Sequence, residues 1–405
     1  MTSLKSAIIY LTLFSLIRPP SIYSYDIPEI HIHGFLSQGY FWSTENQYLG
    51  DSENGSFEFN EMGINFTSEL FEDLRFGIQL FSRDMGEYGD NDLEVDWAFL
   101  DYHKKDWAGL RVGKIKMPYG LFNKERDADM LRTPVFFPQA VYPEGTREMI
   151  VVFQGIELYG SCSLNQMGDI DYEAFIGTLD IDTGSPFLTD MFLSVAIRAA
   201  AQGVDLGDYL PAGLNNIKTD ATRIEGGRIT WNTSLPGFQM GWTFFHGESD
   251  VTAEGIDFES DFSIDSTMVF SLLYEKGDWL FGAEYMAMDA SLDVPGLKSY
   301  PVELEGYYAG AGYKASDIIE LACYYGEYYP MPDDKEGDLF KAAGLKDYYA
   351  WQKDLTFAVK FNINEYLATK FEVHFIDGVG LCSLDNNPDA KQNWMLFTGK
   401  ISLSF

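Results

Sequence analysis

From His31 onward, segment after segment of roughly ten residues alternates apolar and polar side chains, the period-2 pattern of a strand with one oily face and one wet face. At the end of the chain Met395, Phe397, Ile401, Leu403 and Phe405 share one face, and Thr398, Lys400, Ser402 and Ser404 share the other. The same split sets Leu355, Phe357, Val359 and Phe361 against Asp354, Thr356, Ala358, Lys360 and Asn362. It recurs for Leu367, Thr369, Phe371, Val373 and Phe375 against Lys370, Glu372 and His374. Helical periodicity is nearly absent. The pattern predicts sixteen strands, over 31–42, 56–69, 73–84, 92–103, 107–116, 147–160, 168–178, 221–233, 237–248, 264–275, 278–289, 304–315, 318–329, 352–363, 366–377 and 394–405. Eighteen would result if residues 179–220 held another hairpin.

The connections separate a membrane barrel from a soluble sandwich. Those after even-numbered strands are mostly tight, as at Lys104-Lys105-Asp106, Ser234-Leu235-Pro236, Lys276-Gly277 and Asn364-Glu365. Those after odd-numbered strands are mostly long, including 43–55, 117–146, 179–220, 330–351 and 378–392. Alternation of short periplasmic turns with long extracellular loops belongs to outer-membrane barrels, and a sandwich has no cause for it. Hydrocarbon offers no partner to an open sheet edge, so a spanning sheet must close on itself. Sixteen strands then leave an aqueous lumen. Trp107, Trp231, Trp279, Trp394, Tyr102 and Tyr159 lie near segment ends, where interfacial girdles form.

Residues 1–24 read as an export signal: Lys5, an apolar core from Ala7 to Ile17, Pro19-Pro20, and a small residue at the expected cleavage point near Ser24. The mature barrel is then 25–405, and loss of Lys5 and Arg18 moves the formal charge from −34 to −36. It holds no apolar run of ~18 residues that would span as a helix. At 46% hydrophobic and 16% aromatic the chain is not a disordered one. With 28 basic against 62 acidic residues, nucleic acid is excluded as a partner. Cys162, Cys323 and Cys382 lie far apart, which implies neither a metal site nor a disulfide framework.

The export signal, the sixteen alternating segments and the terminal Ile401-Ser402-Leu403-Ser404-Phe405 together resemble a Gram-negative outer-membrane porin, with Phe405 at the family's assembly-signal position. The stretch from Arg111 to Asn123 is similar to one in porin-like proteins distantly related to the phosphate-selective O and P group, although phosphate selectivity does not carry over with it. The resemblance implies a bacterial outer-membrane location amid lipid and lipopolysaccharide. It also implies a homotrimer and a third loop folded into the lumen as an eyelet.

That loop, 117–146, carries Lys124, Arg126 and Arg132 beside Glu125, Asp127, Asp129 and Glu144, with Pro134, Phe136, Phe137 and Pro138 to pin it to the wall. Opposed charges there would act as a transverse field on a solute. Alternation places Arg75, Gln79, Arg83 and Arg111 inside, together with Arg228, Lys314, Lys360, Lys370 and Lys400 and the acids Glu61, Glu284, Glu320 and Glu372. Each wall charge taken singly reads as a solvated lumen group. Residues 187–201 read as a short helix that lines the pore or covers a neighbouring subunit.

Acidic residues outnumber basic ones in the long loops, which would gather cations at the mouth. The expected function is therefore passive diffusion of ions and small hydrophilic solutes with weak cation preference, without catalysis or cofactor. Three other readings stand beside it. One is an anion- or substrate-selective porin using the constriction Lys and Arg residues, and another is a non-conducting structural or surface-binding barrel. The third is a barrel hydrolase, for which His246 with Ser249 is the one pairing available. His31 and His33 share a face but lack a third metal ligand in sequence.

Overall fold

The computed structural model describes residues 28–405 apart from 87, 180, 182–185, 205–216, 220–221, 254–258, 295, 297 and 385. The export signal lies outside the described residues. A backbone in hydrocarbon must satisfy its own polar groups, and this sheet does so by closing. Sixteen strands form the wall: β1 (Ile30–Ser43), β2 (Asn60–Phe71), β3 (Leu74–Met85), β4 (Glu94–Lys105), β5 (Ala108–Lys116), β6 (Val152–Ser163), β7 (Gly168–Leu179) and β8 (Thr222–Thr233), then β9 (Phe238–Ala253), β10 (Glu259–Lys276), β11 (Trp279–Asp293), β12 (Ser299–Lys314), β13 (Ile319–Tyr329), β14 (Gln352–Asn362), β15 (Leu367–Gly378) and β16 (Asn393–Ser404). Each pairs antiparallel with its chain neighbour, and β16 returns to β1 from Phe35↔Ser404 to Ser43↔Leu396.

The eighteen-strand alternative gives way to sixteen. β7 pairs directly with β8, from Thr222↔Leu179 to Thr233↔Gly168, so no hairpin is inserted between them. Two three-residue strands, Tyr88–Asp90 and Ile217–Thr219, add only to the long-loop ends of β3 and β9. Residues Arg147–Ile150, expected to open β6, form a helical turn, α1, and the strand begins at Val152.

The faces follow the alternation. Leu355, Phe357, Phe371, Phe375, Ile401 and Leu403 are exposed outward, while Thr356, Lys360, Lys370, Glu372, Thr398 and Lys400 are buried within. Trp107, Trp231, Trp279 and Tyr102 are exposed, as girdle residues should be. Two of the expected girdle residues are not. Trp394 is buried against Tyr48, and the Tyr159 ring lies beneath the Arg111 guanidinium, because both sit on the inward parity. No helix among the described residues is long and apolar enough to cross a membrane.

The wall is taller on one side. β9 to β12 run 16, 18, 15 and 16 residues, whereas β2 to β8 run 9 to 12. Sequence alternation misses these extensions because the pattern inverts there: Val251, Phe262, Leu292, Tyr300 and Val302 are buried inside, and Asp250, Asp261 and Asp289 are exposed outside. The buried side packs on α2 (Pro186–Ala201), whose Leu188, Met191, Phe192 and Val195 join the same core. α2 therefore sits in the mouth of its own barrel, packed against β12, the 144–146 turn and α3 (Asp338–Ala342). On another face of α2, Ile197 joins Leu49, Phe136, Met331, Phe340, Tyr349 and Val379 from four loops in a second core over Phe41 and Trp394. Among the described residues, apolar side chains thus form two cores across the long-loop half of the lumen.

Candidate functional site

Loop three, 117–146, runs across the barrel below that core, and wall side chains hold its backbone from both sides. On one side Thr243 accepts from Gly120 N at 3.3 Å and donates to Pro118 O at 3.1 Å, and Arg228 Nη1 donates to Gly120 O at 2.8 Å. Glu284 accepts from Leu121 N at 2.8 Å, Ser271 Oγ at 2.6 Å, Tyr142 Oη at 2.5 Å and Tyr308 Oη at 2.9 Å. On the other side Lys360 Nζ donates to Met130 O at 2.6 Å and Lys370 Nζ to Asp129 O at 2.6 Å. Glu372 accepts from Val135 N at 2.7 Å and is backed by His374, which also meets Asp354 at 2.8 Å. Phe136 stacks on Phe59 at 5.3 Å, and Phe137 on Phe122 at 5.4 Å. The prolines and phenylalanines expected to pin the loop therefore lie in or beside the ceiling that it forms.

Apart from Glu125, the expected constriction charges fall into three groups, each paired. Arg75, Asp101, Arg111, Glu157, Lys124, Glu173 and Arg228 form an alternating belt along the six adjacent strands β3 to β8. Its order follows the strand register, since Arg75↔Asp101, Asp101↔Arg111, Arg111↔Glu157 and Arg228↔Glu173 are direct cross-strand partners. Only Lys124 comes from the loop. The second group centres on Glu144, which receives Arg126 Nη2 at 2.6 Å and Arg83 Nη1 at 2.9 Å. Burial would raise the Glu144 carboxyl, but Arg126, Arg83 and Arg147 hold it well below the usual carboxylate range. Asp127, beside it, pairs with Lys116 and with Arg147 at 3.2 Å.

The third group is a lysine row. Lys360, Lys370 and Lys400 are direct neighbours on β14, β15 and β16 and are almost fully buried. Adjacent like charges repel across a sheet, so the row needs counter-charge. Asp129 supplies it from the loop, 3.2 Å from both Lys370 and Lys400, with Arg132 at 2.9 Å and Ser402 on the same carboxylate. Glu61 meets Lys400 at 2.5 Å and Glu320 meets Lys360 at 3.4 Å. Burial would raise Asp129, yet Lys400, Lys370 and Arg132 keep it well below the ordinary range.

These contacts correct the view of the wall charges as solvated. Glu284, Lys360, Lys370, Lys400 and Glu372 are buried and bonded to the loop, and sequence parity gave their side of the wall but not their partners. Asp96 was missed altogether. A register shift between Gln79 and Leu80 turns it inward, where it accepts from Gln79 at 2.8 Å. The hydrolase pairing separates, because His246 lies on the outer parity 3.2 Å from Glu225 while Ser249 is buried on the inner one. No group of three metal-ligating side chains occurs among the described residues.

Beneath the loop, on the short-turn side, lie cavities of about 600 Å³ by Arg75 and Trp97, 540 Å³ by Asp171 and Glu173, and 470 Å³ by Leu273 and Tyr308. The lumen is thus roomy below loop three, while above it the described residues pack two apolar cores.

Solved structures share this architecture over nearly the whole chain. The outer membrane channel DcaP of Acinetobacter baumannii has a TM-score of 0.57 at 10% identity, over 95% of this chain and 99% of that one. The anion-selective porin from Comamonas acidovorans has 0.54 at 11%, over 93% and 99%. OmpF of Salmonella typhi, in complex with daunomycin, has 0.54 at 15%, over 95% and 99%. No family model matches the chain, and no curated protein sequence does. The fold is that of the outer-membrane porins, a closed sixteen-stranded barrel.

Proposed function

We propose that the protein is an outer-membrane channel for passive movement of ions and small hydrophilic solutes, closed in the conformation described here. The observation that carries the reading is a charged, polar lumen inside an apolar-faced closed barrel, with loop three docked across it. No catalytic step is assigned to any residue. The short turns face the periplasm and the long loops the exterior, as in barrels of this construction. Opening then requires α2 and its neighbouring loops to leave the mouth, since the described residues there pack apolar side chains across it. The constriction is assigned to the loop-three groups around Lys124, Arg126, Asp127, Asp129, Arg132 and Glu144, against Arg75, Arg83 and Arg111 of the wall.

The charge pattern supports weak cation preference. Each Arg or Lys of the belt is paired with an acid, whereas Glu125 and Glu275 face the space below the loop with no ion pair among the described residues. A charge at ~4 Å is worth about 4 kcal/mol at an effective dielectric of 20, so two such carboxylates add to the screened attraction of the acidic long loops. The test is the reversal potential across a planar bilayer under a KCl gradient. A cation-selective sign is expected, and a clear anion-selective sign would reject this preference. Lipopolysaccharide contact and a homotrimer belong to the same proposal, checked by the mass of the detergent-solubilised protein.

A further inference from the structure

The 470 Å³ cavity under loop three has a wall made partly of missing side chains. Gly282 on β11 and Gly312 on β12 lie on the inward parity, and neither has a backbone that only glycine adopts. A Cβ added at Gly282 would meet nothing nearer than 3.8 Å, and one at Gly312 nothing nearer than 3.6 Å. Gly310, between them in sequence, is different: its Cβ would lie 2.7 Å from Tyr324 Cβ, so close packing explains it. Glycine weakens a strand interior, and where neither turn nor packing requires it, it marks room for an approaching group. Here the room opens toward the stacked Phe122 and Phe137 of the loop.

The charges at this space are one-sided. Its two cations are already engaged, Arg132 by Asp129 at 2.9 Å and Lys314 by Asp317 at 2.8 Å. Glu320 is bonded to Asn362 and Thr133. Glu125, Glu275 and Asp278 line it exposed and without an ion pair among the described residues. Among the described residues an anion would find no free cation there, and a bare metal ion would not use the aromatic ceiling.

We propose that this cavity binds an aromatic amine, its ring under Phe122 and Phe137 in the space left by Gly282 and Gly312, and its ammonium at Glu275 and Glu125. The volume lies within the usual range of small-molecule sites, enough for one or two rings. A ring with a positive edge group gains both from the aromatic ceiling and from the carboxylates. The site extends the channel reading without resting on conduction.

The test is isothermal titration calorimetry on the whole purified barrel in detergent, with phenethylamine as probe and ethylamine and phenylacetate as controls. Phenethylamine should bind at least tenfold more tightly than either control. Gly282→Leu, whose Cβ meets nothing nearer than 3.8 Å, and Glu275→Gln, which removes only charge, should each weaken it by at least tenfold while the barrel keeps its heat-modifiable gel mobility. Equal binding of phenylacetate, unchanged binding by Gly282→Leu, or no heat with phenethylamine would overturn the proposal. Binding without any bilayer conductance would instead remove the channel reading and leave the site in place.

Discussion

Asp129 shows how a single loop carboxylate organises a wall. Three nearly buried lysines in register would repel, and Asp129 answers two of them at 3.2 Å while Lys370 also holds its carbonyl. Removing one partner of a buried ionic group costs about 3–5 kcal/mol because the remaining charge stays desolvated. Asp129→Asn should therefore loosen the 128–136 segment and lower the unfolding temperature, measured by heat-dependent gel mobility, whereas Glu125→Gln should not. The pH dependence has a definite sign. Glu144 and Asp129 are depressed in the folded protein, so their stabilisation is present above the unfolded carboxylate value and is lost only as pH falls through the lower folded values. Loop three should thus resist proteolysis unchanged from pH 7 down to about 4, the ordinary carboxylate pKa, and become cleavable only below it. Alternation made the inward side of Lys360, Lys370 and Lys400 legible. Their neutralisation was not, since Asp129 is more than 200 residues away along the chain and that contact exists only after closure.

At the scale of elements, the two inserts that matter are loop three and α2. The inward course of 117–146 was what the porin resemblance implied, and the apolar run at 187–201 gave the helix almost to the residue. Where α2 docks was not legible, because the extended ends of β9 to β12 invert their polarity above the hydrocarbon and no longer resemble lipid-facing strands. Two kinds of contact hold α2. Arg198 forms a two-pronged pair with Asp333 at 2.6 and 2.7 Å, but Asp333 is half exposed, which limits the pair to roughly 1 kcal/mol. The buried Phe192 should be worth about 3–5 kcal/mol on truncation. Phe192→Ala should accordingly raise channel open probability far more than Arg198→Ala, as read from single-channel records. Another local device is Gln38, exposed on the outer face of β1, whose amide donates to Phe57 O at 2.8 Å and Phe59 O at 3.1 Å where the ladder to β2 ends. Backbone carbonyls facing lipid need such a donor. Gln38→Leu should cost only about 0.5–1.5 kcal/mol in urea unfolding from lipid vesicles, the net worth of the lost bonds, because Phe57 O keeps Phe59 N at 2.7 Å and Phe59 O keeps Gly39 N at 2.6 Å.

For the whole molecule, closure of the ring is the fact from which the rest follows. A continuous wall sends apolar side chains to lipid, encloses polar ones, and leaves the inserts to decide whether the interior conducts. The charged belt, the lysine row and the docked loop describe a lumen built around water on one side, and α2 with the loop cores shuts it on the other. The most direct test is planar-bilayer conductance in symmetric KCl of the whole protein and of its Phe192→Ala variant. The account predicts rare openings for the native barrel and frequent openings of the same unit conductance for the variant. Stepless membranes with both proteins, each shown to be inserted and folded, would contradict it.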